Sequence, residues 1–170
     1  EMKGVKATTS PSMDIQISSN FERLLFEAYD RDPAKVRGAM AGLKQSGAFD
    51  IEKKALAAIA KDFRAGRVSE KQVAKTIHTT LAETGYLLEP HTAIGVFTAQ
   101  KFEKPNAPMV TLATAHPAKF PLAVETACGI SPALPSWLAD LMQREERFAV
   151  LDADIKTVEA FIAQHARIKS

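Results

Sequence analysis

Cysteine is nearly absent: Cys128 stands alone in a chain of 170 residues. A single thiol closes no internal disulfide and makes a cysteine-rich zinc site impossible. That usage suits a reducing compartment, and the expected location is the cytoplasm. Aromatic residues are scarce, at 7%, and are not interleaved with arginine, which argues against a surface that stacks bases. The formal net charge is only +2 and no basic run stands out, so neither nucleic acid nor an anionic membrane is an expected partner. No window approaches the about 18 consecutive apolar residues of a membrane span, and no secretory apolar run opens the chain. Glycine is thin as well: the eight residues are scattered, with no glycine-rich run to cradle a phosphate.

What is present is an ordinary globular balance, 46% hydrophobic and 25% charged, on a length that suits one domain or slightly more. The chain opens Glu1-Met2-Lys3-Gly4 and runs directly into Ser/Thr-rich loop sequence. The expectation is a chain that starts in the middle of something.

Residues 1–14 carry turn formers, and Ile15–Ile17 reads as a short extended piece. From Ser18 to about residue 84 the pattern is helical. Ser19 with Glu22 has capping-box spacing, and Phe21, Leu24, Leu25 and Ala28 make a buried stripe. Asp32-Pro33 supplies a cap and a first-turn proline for a second helix ending at Gly47, with Val36, Met40 and Leu43 inward. An alanine-rich helix over 52–64 has Leu56, Ile59 and Phe63 in register. Ser69 and Gln72 open a fourth, with Val73, Ile77 and Leu81 on one line and Gly85 as its stop.

Past residue 84 the character changes. A connector over 86–91 leads to a helix over 92–102, then to the breaker cluster Lys104–Pro108. Met109-Val-Thr-Leu-Ala113 is a short apolar, β-branched run that reads as a buried strand. Thr114, His116 and Lys119 follow, and 121–128 reads as a helix stopped by Gly129. A strand end running into a helix start is where α/β sheets bind ligands, and backbone N–H groups there suit a phosphate or a polar cofactor edge. The remainder predicts a short helix over 136–144, an extended piece over 148–151, and a final helix capped by Asp152 or Asp154. Ile155, Val158, Ile162 and His165 share one face of that last helix. The expected class is α/β and predominantly helical with few strands. The strand at 109–113 lacks an evident neighbour, and its partners are expected in sequence outside this chain.

Four motifs then carry a resemblance: Ser10-Pro-Ser-Met-Asp-Ile15 with Ser18-Ser-Asn-Phe-Glu-Arg23, Tyr86-Leu-Leu-Glu-Pro-His-Thr-Ala93, and Thr114-Ala-His-Pro-Ala-Lys-Phe120. In this order and spacing the chain resembles the C-terminal part of bacterial threonine synthases, over essentially its whole length. The resemblance implies the tryptophan synthase β-like fold of pyridoxal-phosphate enzymes (fold type II). It implies conversion of O-phosphohomoserine and water to L-threonine and phosphate. The implied layout is a connector from a missing N-terminal region (1–17), a helical subdomain (18–84), a returning part of the large cofactor domain (85–130), and a C-terminal helical tail (131–170). The missing N-terminal part of the same polypeptide is then the implied partner.

The family's Schiff-base lysine and glycine-rich phosphate loop lie upstream of these motifs, and no residue here matches either. The expectation is a fragment with no catalytic lysine of its own, inactive alone and not holding the cofactor. By the resemblance, Thr114 faces the pyridine nitrogen of pyridoxal phosphate. A hydroxyl partner there is expected to leave the ring nitrogen largely unprotonated. His116 and Lys119 are candidates for the substrate phosphate, against a loop-orienting histidine and a solvated lysine. Glu89 and His91 make a weak metal pair without a third ligand, so no metal is expected and their reading is a helix-entry role. Asn20 and Arg23 stand near the site mouth or on the surface, and Cys128 reads as core. Two other classes compete: a non-enzymatic helical interaction module, and a phosphate-binding regulatory domain built on 114–119.

Overall fold

Asp32 shows how locally this chain sets its helices. Its carboxylate accepts from the backbone N–H of Ala34 at 2.8 Å and of Lys35 at 3.4 Å, and Pro33 takes the first helical position, where no N–H is missed. The computed structural model describes residues 4–102 and 106–167. Its helices are α1 (Ser19–Ala28), α2 (Pro33–Ser46), α3 (Lys53–Asp62), α4 (Glu70–Thr84), α5 (Pro90–Ala99), α6 (Pro121–Cys128) and α7 (Ile155–His165), with single 3-10 turns at Pro11–Met13, Pro117–Lys119, Ser136–Leu138 and Leu141–Gln143. Within the breaker cluster, Lys104 and Pro105 lie outside the described residues.

Two compact units divide the chain, Glu1–Ala133 and Leu134–Ser170. The first holds two apolar cores. One gathers Leu25 of α1 and Tyr29 at its C-cap with Ala55 of α3, flanked by Phe21, Val36, Met40 and Ile59. The other gathers Val73 and Ile77 of α4 with Leu88 and Ala93, flanked by Ile94, Ala127 and Cys128. Burying a side chain such as Leu25 or Ile77 stabilises by about 1.5–3 kcal/mol, so α4 is held chiefly by α5 and α6. The stripes of α1 and α4 agree with the helical period. In α3 only Ile59 of the expected line packs on the core: Leu56 and Phe63 are more than half exposed, and Ala55 is the fully buried residue. A small side chain lets α3 approach α1 closely. Cys128 is half-buried against the second core, as its apolar face suggests.

The caps follow the sequence with one exception. The backbone N–H of Ser69 donates to Gln72 Oε1 at 2.9 Å, and that of Thr157 donates to Asp154 Oδ1 at 2.9 Å, which makes Asp154, not Asp152, the cap of α7. The Ser19–Glu22 box does not form; α1 starts one residue earlier in register, with Ser18 at its cap position and no side-chain bond to the helix.

Among the described residues there is no strand. Residues 109–113 join no ladder, and Val110 and Leu112 are each 76% exposed. A strand is stabilised by hydrogen-bonding neighbours and a covered apolar face, and neither is supplied here. The segment is nevertheless seated on α5, because Gly95 offers no side chain where Thr111 approaches: a Cβ there would sit 3.0 Å from Thr111 Cγ2. The pieces at 15–17 and 148–151 are likewise unpaired.

In the second unit, the helix expected over 136–144 is two separate 3-10 turns, interrupted at Asp140 with φ −93° and ψ 7°. Short helices rely on packing of an apolar face, and Trp137 and Met142 are exposed. The apolar line of α7 exists but is uncovered, with Ile155 and Ile162 exposed.

Candidate functional site

Glu89 is the hub of the first unit's polar chemistry, although an acidic residue is among the least common to be fully buried. Its side chain has no exposed surface. It sits at the cap position of α5 with Pro90 as the first helical residue, so the sequence pair Glu-Pro is a helix start. One carboxylate oxygen, Oε2, accepts from the His91 backbone N–H at 2.8 Å and faces His91 Nδ1 at 2.7 Å. The other, Oε1, accepts from the Thr92 backbone N–H at 2.5 Å and the Thr92 hydroxyl at 2.6 Å. The helix-entry role expected for Glu89 and His91 is what this geometry delivers.

Burial pushes the Glu89 carboxyl up, but the hydrogen bonds from the Thr92 hydroxyl, the His91 backbone and ring, and the Thr92 backbone outweigh it; the net direction is below the ordinary value of 4.5. The positive end of α5 acts the same way. Glu89 is therefore an ionised carboxylate held inside the protein by donors.

The His91 tautomer follows from its neighbours. Its Nε2 accepts from the Ser12 backbone N–H at 3.2 Å, so the ring proton sits on Nδ1 and is donated to Glu89. That bond ties the 3-10 turn Pro11–Met13 to α5. The same loop is held by Thr8, whose N–H and hydroxyl both donate to Asp14 at 2.7 Å. The Phe120 ring, with its centroid 4.8 Å from that of His91, covers the imidazole.

Thr114 reaches this network from the chain segment after α5. Its N–H donates to Thr92 Oγ1 at 3.1 Å and its hydroxyl donates to Glu89 Oε1 at 3.2 Å. Unlike its partners, Thr114 is exposed. The result is an exposed threonine whose hydroxyl is backed by a buried carboxylate, an arrangement able to hold that hydroxyl in place for a ligand.

His116 and Lys119 do not converge on one place. His116 Nδ1 accepts from the Ala118 N–H at 3.2 Å, capping the turn Pro117–Lys119, and its ring lines a cavity of about 300 Å³ with Tyr86, Leu87 and Pro132. Lys119 lines a different, apolar groove of about 630 Å³ between α4 and α6, beside Val73, Ile77, Phe120 and Leu122. Its ammonium lies 5.9 Å from the centre of the Phe120 ring. Glu70 also borders that groove, its carboxylate accepting from the Thr9 N–H at 3.0 Å. Asn20 and Arg23, on α1, belong to the other core's neighbourhood, where Arg23 borders a shallow cleft with Phe26 and Pro33. Among the described residues no group of three His, Cys, Asp or Glu side chains is arranged to hold a metal ion, and no helix is long and apolar enough to cross a membrane.

Sequence reasoning singled out Thr114 but not its hydrogen bonds to Glu89 and Thr92. The Glu-Pro pair did announce a capped helix. Nothing local announces a contact across the 25 residues from Glu89 to Thr114.

The same region is shared by proteins already characterised. The family model described as "Threonine synthase, C-terminal" matches residues 92–162. The threonine synthase of Pseudomonas aeruginosa is 48% identical over 158 residues, covering 92% of this chain and 34% of that protein. That of Saccharomyces cerevisiae is 34% identical, covering 94% of this chain and 36% of that protein. Among solved structures, a threonine synthase from Brucella melitensis described as PLP bound overlays with a TM-score of 0.83 at 60% identity, over 99% of this chain and 36% of that one. The chain thus spans about a third of the length of the curated relatives it matches.

Proposed function

We propose that this chain, which belongs to the threonine synthase family as its C-terminal portion, forms one wall of an active site that converts O-phosphohomoserine and water to L-threonine and phosphate. The observation that carries this reading is the exposed residue Thr114 with its hydroxyl backed by the buried Glu89 carboxylate. Such a pair fits the nitrogen edge of a pyridine ring and so fits pyridoxal phosphate there. When bound, that cofactor supplies the electron sink for the chemistry at the substrate's α and β carbons. The Schiff-base lysine and the phosphate cradle belong to the rest of the polypeptide in this reading, which makes the N-terminal part the chain's obligate partner and the cytoplasm its location.

The roles of this chain's own residues are to bind and to orient. Thr114 holds the ring-nitrogen edge. Glu89, His91 and Thr92 keep Thr114 in register with the start of α5. Lys119, an exposed ammonium just ahead of α6, is the partner for the substrate phosphate. His116, which lines a separate cavity and has its Nδ1 engaged by the Ala118 N–H, orients the turn that carries Lys119. The proposed division is a connector over 1–17, a helical subdomain over 18–84, the returning part of the cofactor domain over 85–130, and a tail over 131–170. In this division α4 is the element on which the returning part is seated.

The test is Thr114→Val in the full polypeptide. The reading expects pyridoxal phosphate to be retained more weakly, by about 1 kcal/mol or fivefold to tenfold for one lost hydrogen bond, with slower threonine formation. Unchanged retention and unchanged rate would remove Thr114 from the site.

A further inference from the structure

The unit Leu134–Ser170 has helical turns but no interior. None of its described residues, 134–167, is buried. Its large apolar side chains face outward instead: Trp137, Met142, Phe148, Val150, Ile155 and Ile162 are each between 57% and 85% exposed. Two of the groups are ordered. Phe148 and Val150 stand two apart, so extended backbone puts both on one side. Ile155, Val158 and Ile162 follow the i, i+3, i+7 stripe of a helix that packs along one face. An isolated helix shorter than about 12 residues is marginal in water, and α7 has 11 residues with its stripe uncovered. Apolar surface on this scale, on so small a unit, marks a contact face.

We infer that this unit is an arm that docks, through that face, onto the part of the same polypeptide that precedes Glu1. The inference rests on the reading of the chain as the C-terminal portion of a longer polypeptide and does not depend on what Thr114 binds. Two observations choose this occupant. The chain spans about a third of the length of its relatives, so the larger part of the protein is tied to the arm covalently. The matches also run through the arm: the family model extends to residue 162, and the Brucella melitensis structure is matched over 99% of this chain. The arm therefore belongs to the complete protein of the family. A tethered surface meets its partner at an effective concentration of about millimolar. A second copy has to reach that concentration in solution and to offer a self-complementary patch. A stripe that α7 needs covered in order to persist is served by a contact present at every dilution.

The experiment is amide hydrogen exchange, read by mass spectrometry on the full polypeptide, for the wild type and for a variant carrying Val150→Asp and Ile162→Asp. In the wild type, α7 is expected to exchange about a hundredfold or more slower than an unstructured segment, and equally at two protein concentrations about tenfold apart. In the variant, exchange is expected to quicken in the arm and in at least one segment that precedes Glu1. If that variant unfolds throughout, Ile162→Ala reads the same footprint. Exchange of wild-type α7 at the unstructured rate overturns the inference, because the face is then uncovered. Protection that falls on dilution assigns the face to a second copy and overturns it too. So does quickening confined to residues 1–170, or none at all. Wild-type polypeptide that shows the expected exchange but releases no phosphate from O-phosphohomoserine keeps the docked arm and strikes only the active-site reading.

Discussion

Thr114 Oγ1 lies 3.2 Å from Glu89 Oε1, the hydroxyl of an exposed residue donating to a carboxylate shut away from solvent. The two residues come from different segments, and the contact couples the wall of the proposed site to the start of α5. Its stability consequences are testable on their own. Glu89→Ala removes a helix cap and leaves the Thr92 hydroxyl and His91 Nδ1 without their acceptor. The expected loss is about 2 kcal/mol or more in urea unfolding, from the cap and the charged hydrogen bonds together. Thr114→Ala, which removes one partly exposed bond, is expected to cost under about 1 kcal/mol. Equal losses for the two would contradict the hub role of Glu89.

Acid should find Glu89 before it finds the apolar cores. Its folded pKa lies below the ordinary 4.5, so its contribution is fully present above that value and is lost as pH falls through the folded pKa. Wild-type stability is expected to fall with pH below about 4.5, and Glu89→Gln to start lower with a shallower slope in that range. The measurement is unfolding free energy against pH for both proteins. Parallel curves would mean that Glu89 does not titrate differently in the folded state.

Gly66 tests a close approach in the loop before α4. A Cβ there would lie 2.5 Å from Thr98 Cγ2 and 2.9 Å from Thr98 Oγ1, and a β-branched side chain has little freedom to give way. Gly66→Ala is expected to destabilise by about 1–3 kcal/mol, and Thr98→Ala in the same chain to recover most of that. The recovery is helped by the Thr98 hydroxyl, which is buried with no hydrogen-bond partner. Thermal or urea unfolding of the two single variants and the double variant reads both effects, and additive losses would rule out the contact.

The helices were legible because their signals are local. Asp32-Pro33, Ser69 with Gln72, and the glycines at 47, 85 and 129 each set an end with neighbouring residues alone. The segment 109–113 read as a strand because its β-branched, apolar composition is that of one, but a strand needs a neighbour that composition cannot supply. The helix expected at 136–144 failed for a related reason: Trp137 and Met142, most of its apolar surface, are exposed. In the site, Thr114 was legible through its motif and Glu89 through its proline. Their hydrogen bond was not, since it depends on how α5 and the 109–120 segment meet in space.

The central claim is that this chain supplies one wall of a threonine-forming site and that the other walls lie in the remainder of the polypeptide. The most direct measurement compares phosphate release from O-phosphohomoserine, with pyridoxal phosphate present, by the full polypeptide and by the 170-residue chain alone. The account predicts turnover by the first and, from the second, neither phosphate nor a stoichiometric absorbance band of lysine-bound cofactor. Turnover by the isolated chain, or none by the full polypeptide, would contradict it.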